Sequence, residues 1–307
     1  MMDGILAVWK PAGWTSHDVV AKVRRIVRVK RIGHTGTLDP QVTGVLPLCI
    51  GRSTRVVEYV QERPKAYEAV LQLGIATDTE DMTGTVIEEL TEVHVTEADI
   101  RLVLESFVGE IEQVPPMYSA VRVDGKRLYE LAREGQVIER KSRKVTIHEL
   151  KLLSMELDKP HPQIRFSVVC SKGTYIRTLC VDIGQALGLP ATMAELVRTM
   201  SGGFKKEHCL TLEQIEELHA SGDLEARLLP AETAVDHFPR GNVNHETAKH
   251  AYQGKTISMD CVDMVQTIDE EGLVRLFTED GRFLGLFELD TASDSLKPVK
   301  VFTPTEI

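Results

Sequence analysis

Asp39 lies in the stretch Gly33-His34-Thr35-Gly36-Thr37-Leu38-Asp39-Pro40, which continues through Thr43-Gly44 to Gly51. Glycines at 33, 36 and 44 permit tight backbone turns, and Pro40 drives Asp39 toward an extended backbone. These features predict a stiff loop presenting one carboxylate, a group suited to nucleophilic or general-base work. Taken alone, Asp-Pro also reads as an ordinary turn. The glycines do not make a phosphate loop, because the Gly-Lys-Ser/Thr ending and the dinucleotide fingerprint are both missing. A second constellation, Ser171-Lys172-Gly173-Thr174-Tyr175-Ile176-Arg177-Thr178, joins a predicted strand to a predicted helix. Arg177 falls in the first helical turn, where the helix dipole disfavours a cation. A surface position or a buried carboxylate partner would each account for it. Tyr67 opens a strand after Arg63-Pro64-Lys65-Ala66. The run Val114-Pro115-Pro116-Met117-Tyr118-Ser119-Ala120, followed by Gly125-Lys126-Arg127-Leu128-Tyr129, interleaves aromatics with bases. That pattern suits a rigid loop and basic helix, and it also suits a grip on single-stranded RNA.

The elements that must position these residues follow from periodicity. Ile5 to Trp9 reads as a short buried strand. Ser16 then offers an N-cap to a helix whose apolar face is Val19, Val20, Val23, Ile26 and Val27. Its other face carries Lys22, Arg24, Arg25 and Arg28, continued by Lys30 and Arg31. Val45 to Ile50 is a second buried strand, and Tyr67, Ala69, Leu71 and Leu73 alternate on one face of a third. Val86-Ile87 marks another strand, and Thr96 with Asp99 forms a capping box for a helix to about Phe107. A strand at Val121-Arg122-Val123 turns at Asp124-Gly125 into a helix over Lys126 to Arg133. Val145–Leu157 and Gln163–Cys170 predict a hairpin. Thr174 is expected to cap a helix ended by Gly188 and Pro190. Without a regular βαβ rhythm, the fold class expected is α+β around a mixed or antiparallel sheet. From about residue 240, short strands and turn signals indicate a small β-rich module, with Pro239-Arg240-Gly241-Asn242 as a linker.

The 307 residues carry a net charge of −10, which on its face argues against a nucleic-acid partner. Resolved along the chain, residues 1–65 hold 11 basic and 5 acidic groups, and 121–150 and 151–210 each hold 8 and 5. The compensating acid sits in 66–120, with 1 basic and 12 acidic groups, and in 211–307, with 8 and 19. The basic blocks are those that carry Asp39, the Lys126-Arg127 segment and Arg177, so they can converge on a polyanion. Cys49, Cys170, Cys180, Cys209 and Cys261 form no CxxC pair and no zinc spacing, so reduced thiols and a cytoplasmic protein are expected. No signal peptide is expected from the N-terminus, and no apolar run approaches the roughly 18 residues of a membrane span.

GHTGTLDP with TGVLPLCIG, then KAYEAVLQLG, PPMYSAV, GKRLYELAR and CSKGTYIRTL, occur in this order. Together with Trp9-Lys10-Pro11 and Leu196-Val197-Arg198, this chain resembles the bacterial TruB family of tRNA pseudouridine synthases over at least residues 4–200. The resemblance implies a catalytic domain over 1–238, with an RNA-gripping insertion at about 115–145. It implies a small PUA-like RNA-binding domain over 239–307. It implies isomerisation of uridine to pseudouridine at position 55, in the TΨC loop of tRNA, by base flipping. Asp39 matches the essential carboxylate, Arg177 the arginine that pairs with it, and Tyr67 the tyrosine that stacks on the target base and is implicated in proton removal. His34 matches a residue that contacts the T-loop, and Tyr175 is expected to line the pocket. Lys10 is expected to support the loop or a phosphate, and Thr37, Met117, Tyr118, Lys126 and Arg127 to bind substrate. The implied reaction requires no metal and no cofactor, and the expected partner is the T-arm stem-loop, bound by a monomer.

Two other classes remain in view. A non-catalytic RNA-binding or tRNA-folding protein would use the basic blocks without Asp39. A nucleoside or glycoside hydrolase would need a second carboxylate, for which Asp78, Glu80 and Asp81 are the candidates if the fold brings one close. If the basic blocks grip phosphates, affinity for a T-arm RNA falls steeply between low and moderate salt in a filter-binding titration. A flat salt dependence would remove that role.

Overall fold

The computed structural model describes residues 2–123, 125–269 and 272–303. The first sheet is built from β1 (Gly4–Lys10), β2 (Ile32–His34), β3 (Thr43–Ile50), β4 (Lys65–Leu73), β5 (Gly109–Gln113), β6 (Arg143–Glu156), β7 (Gln163–Cys170), β8 (Ala191–Ser201) and β9 (Phe204–Lys205). Its order is β1-β3-β8-β4-β7-β6-β5, with β2 on β3 and β9 on β8. The β3–β8 contact is parallel and the other pairings are antiparallel, so the sheet is mixed, as expected. The helices that cover it include α1 (Ser16–Val27), α2 (Glu97–Ser106) and α3 (Ile176–Ala186). None of the helices described is long and apolar enough to cross a membrane.

Burial explains the layering. Val19, Val20, Val23 and Val27 of α1 pack on Leu6, Val8, Leu46 and Leu48 of β1 and β3. Ile176, Leu179, Cys180 and Ile183 of α3 pack on Ala69, Leu71 and Leu73 of β4 and on Phe166 and Val168 of β7. Burying such side chains stabilises by about 1.5–3 kcal/mol each. The alternation read for β4 is therefore the face on which α3 sits.

A second sheet follows, built from β10 (Arg240–Val243), β11 (Ile257–Ser258), β12 (Asp263–Met264), β13 (Leu273–Thr278), β14 (Phe283–Asp290) and β15 (Ser295–Val301), in the order β11-β15-β14-β13-β10-β12. The expected linker at Pro239-Arg240-Gly241-Asn242 is instead the start of this sheet. Arg240 to Val243 pair in parallel with β13, and the Arg240 guanidinium lies 4.2 Å from the Phe277 ring centroid. The two sheets share one apolar cluster, in which Val56, Val60, Ala234 and Phe238 meet Phe277, Phe283 and Leu286. Lys300 pairs with Glu58 at 2.8 Å across the same boundary, and Arg52 and Arg55 donate to the carbonyls of Thr303 and Val301. The β-rich module is seated on the first sheet.

Three local expectations shift. Thr15, not Ser16, caps α1, in a capping box with Asp18, because Ser16 Oγ is occupied by the backbone N–H of Leu38 at 2.9 Å. Tyr175, not Thr174, is the cap residue of α3; the Thr174 hydroxyl turns back to the Ser171 carbonyl at 3.0 Å. The helix expected from Lys126 begins at Leu128, because Lys126 and Arg127 pair with Val123 and Arg122 as a short hairpin. The expected turn there includes Asp124, which lies outside the described residues.

The tightest backbone approach in the first sheet is at Gly44, where φ is +123° and a Cβ would lie 2.2 Å from the Arg198 carbonyl oxygen. Gly44→Ala is therefore expected to lower stability by about 2–4 kcal/mol in urea unfolding. An unchanged midpoint would show that β3 and β8 can separate without cost.

Candidate active site

The loop carrying Asp39 is fastened at nearly every residue. Thr35 N–H donates to the Pro47 carbonyl at 3.1 Å, and Leu38 N–H to Ser16 Oγ. Beyond Asp39, Gly13 N–H donates to the Pro40 carbonyl at 2.9 Å, and Val42 N–H to the Asp39 carbonyl at 3.1 Å. Lys10 is fully buried, and its ammonium donates to the carbonyls of Pro11 (3.0 Å), Trp14 (2.6 Å) and Pro40 (3.0 Å). Of the two roles read for Lys10, the geometry fits loop support. Burial pulls its pKa down to about 8, with Asp39 acting in the opposite direction.

Asp39 then meets Arg177 from the first turn of α3. Asp39 Oδ2 lies 3.1 Å from Arg177 Nε; the arginine side chain is 5% exposed and the aspartate 41%. Of the two alternatives for Arg177, a surface position or a carboxylate partner, the structure has the carboxylate. The remaining nitrogens are also used: Nη1 donates to the Thr79 carbonyl at 2.9 Å and Nη2 to the Tyr118 carbonyl at 2.8 Å. Asp81 Oδ2 lies 4.0 Å from Arg177 Nε. A buried guanidinium needs this many partners to offset its desolvation. α3 is held in turn by Gln113 of β5, which accepts from Tyr175 N–H at 3.0 Å and donates to the Tyr175 carbonyl at 3.2 Å.

Asp39, Pro40, Val42 and Thr43 line a cavity of about 490 Å³ with Asp81, Met82, Thr83 and residues 193–197 of β8. Tyr67 of β4 pairs across the sheet with Arg198 of β8. Burial pushes its phenol pKa up, the Arg198 charge opposes that, and Asp39 adds to it. Tyr67 therefore lies within electrostatic reach of Asp39.

His34 is half-buried, edge-on to His17 at 5.4 Å, and accepts from Gly36 N–H at Nδ1 (3.3 Å). Its pKa is lowered, chiefly by burial and then by His17. Thr37 is exposed. Met117 lines a separate cavity of about 540 Å³ with Glu80 and Arg140, whereas its neighbour Tyr118 reaches the site through its backbone. Lys126 pairs with Glu134 at 3.3 Å, and Arg127 and Arg133 flank the Tyr129 ring at 5.8 and 5.5 Å. Neither Lys126 nor Arg127 makes one of the contacts that hold Asp39.

The fold also answers the question of a second acid. Asp81 does come close, but its Oδ1 accepts from Thr79 Oγ1 (2.8 Å) and Thr83 N–H (2.9 Å), while Oδ2 faces Arg177. It is placed to hold the arginine and its loop. Glu80 is taken up by Thr178 Oγ1 at 2.7 Å. In the sequence Ser16 reads only as a cap, and Gln113 and Arg198 carry no role. Arg198 had a signal: a charged residue in a strand flanked by apolar positions.

The profile of the TruB family pseudouridylate synthase N-terminal domain matches residues 24–176. That of the tRNA pseudouridylate synthase B C-terminal domain matches 177–236, and that of pseudouridine synthase II TruB, C-terminal, matches 239–302. The tRNA pseudouridine synthase B of Bacillus licheniformis is 46% identical over 98% of this chain and 98% of that protein. The chain belongs to the TruB family of pseudouridylate synthases. Its counterpart in Bacillus subtilis is 43% identical over 98% of both chains. Two solved relatives cover 99% of this chain and 86% of their own, each with a TM-score of 0.77. One is an H/ACA RNP bound to a substrate RNA containing 2′-deoxyuridine, at 26% identity. The other is a Cbf5-Nop10-Gar1 complex, at 28%.

The depressed pKa of Lys10 has a definite sign. Its charged form is the costly one in the fold, so the penalty is fully present below pH 8. It is relieved as pH rises toward the unfolded value of about 10.4, by at most about 1.4 kcal/mol per pH unit. The stability difference between wild type and Lys10→Met, measured by urea unfolding at pH 7 to 10, should move in favour of wild type above pH 8. A pH-independent difference would contradict the burial of a charged Lys10.

Proposed function

We propose that this chain isomerises uridine to pseudouridine at position 55, in the TΨC loop of tRNA. The observation that carries the reading is the ionic contact of Asp39 Oδ2 with buried Arg177 Nε at 3.1 Å. It leaves a part-exposed carboxylate at the wall of a cavity large enough for one nucleotide. A uridine folded into the T-loop must be extruded before Asp39 can reach it, at an unstacking cost of a few kcal/mol. Tyr67 offsets part of that by stacking on the flipped base. Asp39 starts the cleavage of the N1–C1′ bond, with its carboxylate oriented by the Arg177 contact. The detached base turns, C5 bonds to C1′, and the C5 proton leaves through Tyr67 while N1 ends protonated. Atoms and electrons balance within one nucleotide, so this is an intramolecular transfer.

The other residues divide by place. His34 and Thr37 contact the T-loop beside Asp39, Lys10 supports the loop, and Tyr175 lines the pocket. Met117, Tyr118, Lys126 and Arg127 belong to the insertion at about 115–145 that grips the arm. Residues 1–238 form the catalytic domain and 239–307 a PUA-like RNA-binding module. The acidic charge of that module makes its RNA contact local and modest. The protein works as a cytoplasmic monomer on the T-arm.

Incubation with an unmodified T-arm stem-loop carrying 5-³H-uridine tests the reading. Tritium is released without loss of base, and Asp39→Asn abolishes release by at least about 10³-fold while still binding the RNA. Release of free uracil would favour a hydrolase. Full binding with no release by the wild type would favour a non-catalytic RNA-binding protein.

A further inference from the structure

Arg198 is among the largest fully buried side chains of the described residues, at 1% exposure. Its guanidinium donates from Nε to the Val45 carbonyl at 2.7 Å, from Nη2 to Gly36 at 3.1 Å and from Nη1 to Thr37 at 3.5 Å. All three acceptors are neutral carbonyl oxygens. Two of them lie in the loop just before Asp39, and the third lies in β3, which the loop enters. The backbone of Arg198 is fixed as well, opposite Tyr67 on β4 and opposite Gly44 on β3. Its charge acts on the Tyr67 phenol, opposing the effect of burial there. One residue therefore reaches both halves of the site, its guanidinium holding the Asp39 loop and its backbone pairing with Tyr67.

Burying a guanidinium is an expensive way to fill a sheet, since an apolar side chain of similar volume is often neutral or better for stability. A lysine would present one compact ammonium in place of the rigid fork from which Nε, Nη1 and Nη2 each donate to a different carbonyl.

We propose that Arg198 is the positioning residue of this site, a three-ended brace that sets the spacing and orientation of Asp39 relative to Tyr67. It holds the backbone of the Asp39 loop, so the carboxylate is located by two arginines with different tasks. Arg177 contacts the carboxylate itself, and Arg198 contacts the backbone that delivers it. The inference rests on the proposed isomerisation, because it concerns the chemical step.

The test is single-turnover pseudouridine formation on a T-arm stem-loop by wild type, Arg198→Lys and Arg198→Gln, with RNA affinity and thermal melting measured alongside. The lysine variant keeps the charge, and the glutamine variant removes the buried charge, so their folding is challenged in different ways. A misplacement of about 1 Å at the reacting atoms is worth about 100-fold. The expected result is a loss of about that size in the rate constant for both variants, with affinity within threefold of wild type and cooperative melting retained. Wild-type-like rates in either folded variant would overturn the brace. So would a rate that falls only in step with affinity or folded fraction, or failure of both variants to fold, which would make Arg198 purely structural. If wild type itself forms no pseudouridine, the functional reading fails, and that outcome is distinct from these.

Discussion

A guanidinium that is 5% exposed must find partners on every side, and Arg177 finds them in three separate segments of the chain. The Asp39 carboxylate takes Nε, the Thr79 carbonyl takes Nη1 and the Tyr118 carbonyl takes Nη2. Removing any one partner would leave a buried donor unsatisfied, which costs more than the bond contributes when made. The glycine-rich loop, the hairpin over Ile75–Thr77 and Val86–Glu89, and the segment that opens the basic insertion are thereby referred to a single point. The helix that carries Arg177 is seated on the β4–β7 face by its own apolar residues and tied to β5 by Gln113. The large mixed sheet can be understood as the frame that keeps this one cation in place.

The supports around Asp39 are graded by distance from the carboxylate. Arg177 meets the side chain directly. Ser16, Lys10 and Arg198 meet backbone atoms of residues 36 to 40. Three buried cations in one region are unfavourable for folding, and the lowered pKa of Lys10 is one sign of this. Such an arrangement agrees with a site whose ligand is a polyanion.

How much of this was legible in the chain depends on whether a residue's role is local. The apolar faces of α1 and β4, the capping box at Thr96 and Asp99, the β6–β7 hairpin and the mixed sheet all follow from periodicity and turn chemistry. The first-turn place of Arg177 left a surface position or a carboxylate partner open, and only its burial against Asp39 decides between them. Ser16 and Thr174 were misassigned as caps because a hydroxyl's choice between its own helix and another acceptor depends on tertiary neighbours. Pro239-Arg240-Gly241-Asn242 has linker composition, yet parallel pairing with β13 makes it a strand. Arg198 and Gln113 were missed for the same reason, since their partners are 161 and 62 residues away in the chain. Net charge was the least informative quantity until it was divided along the chain.

In the proposed reaction Asp39, oriented by Arg177, meets the sugar carbon of a uridine turned out of the T-loop into the cavity it shares with Asp81. A crystal structure with a T-arm stem-loop carrying 2′-deoxyuridine at the target position tests it most directly. The account predicts C1′ of that nucleotide at about 3–3.5 Å from an Asp39 carboxylate oxygen, with the base against Tyr67 and the Arg177 contact intact. A target uridine still stacked within the loop, or seated in the cavity with Asp39 turned away from the sugar, would contradict it.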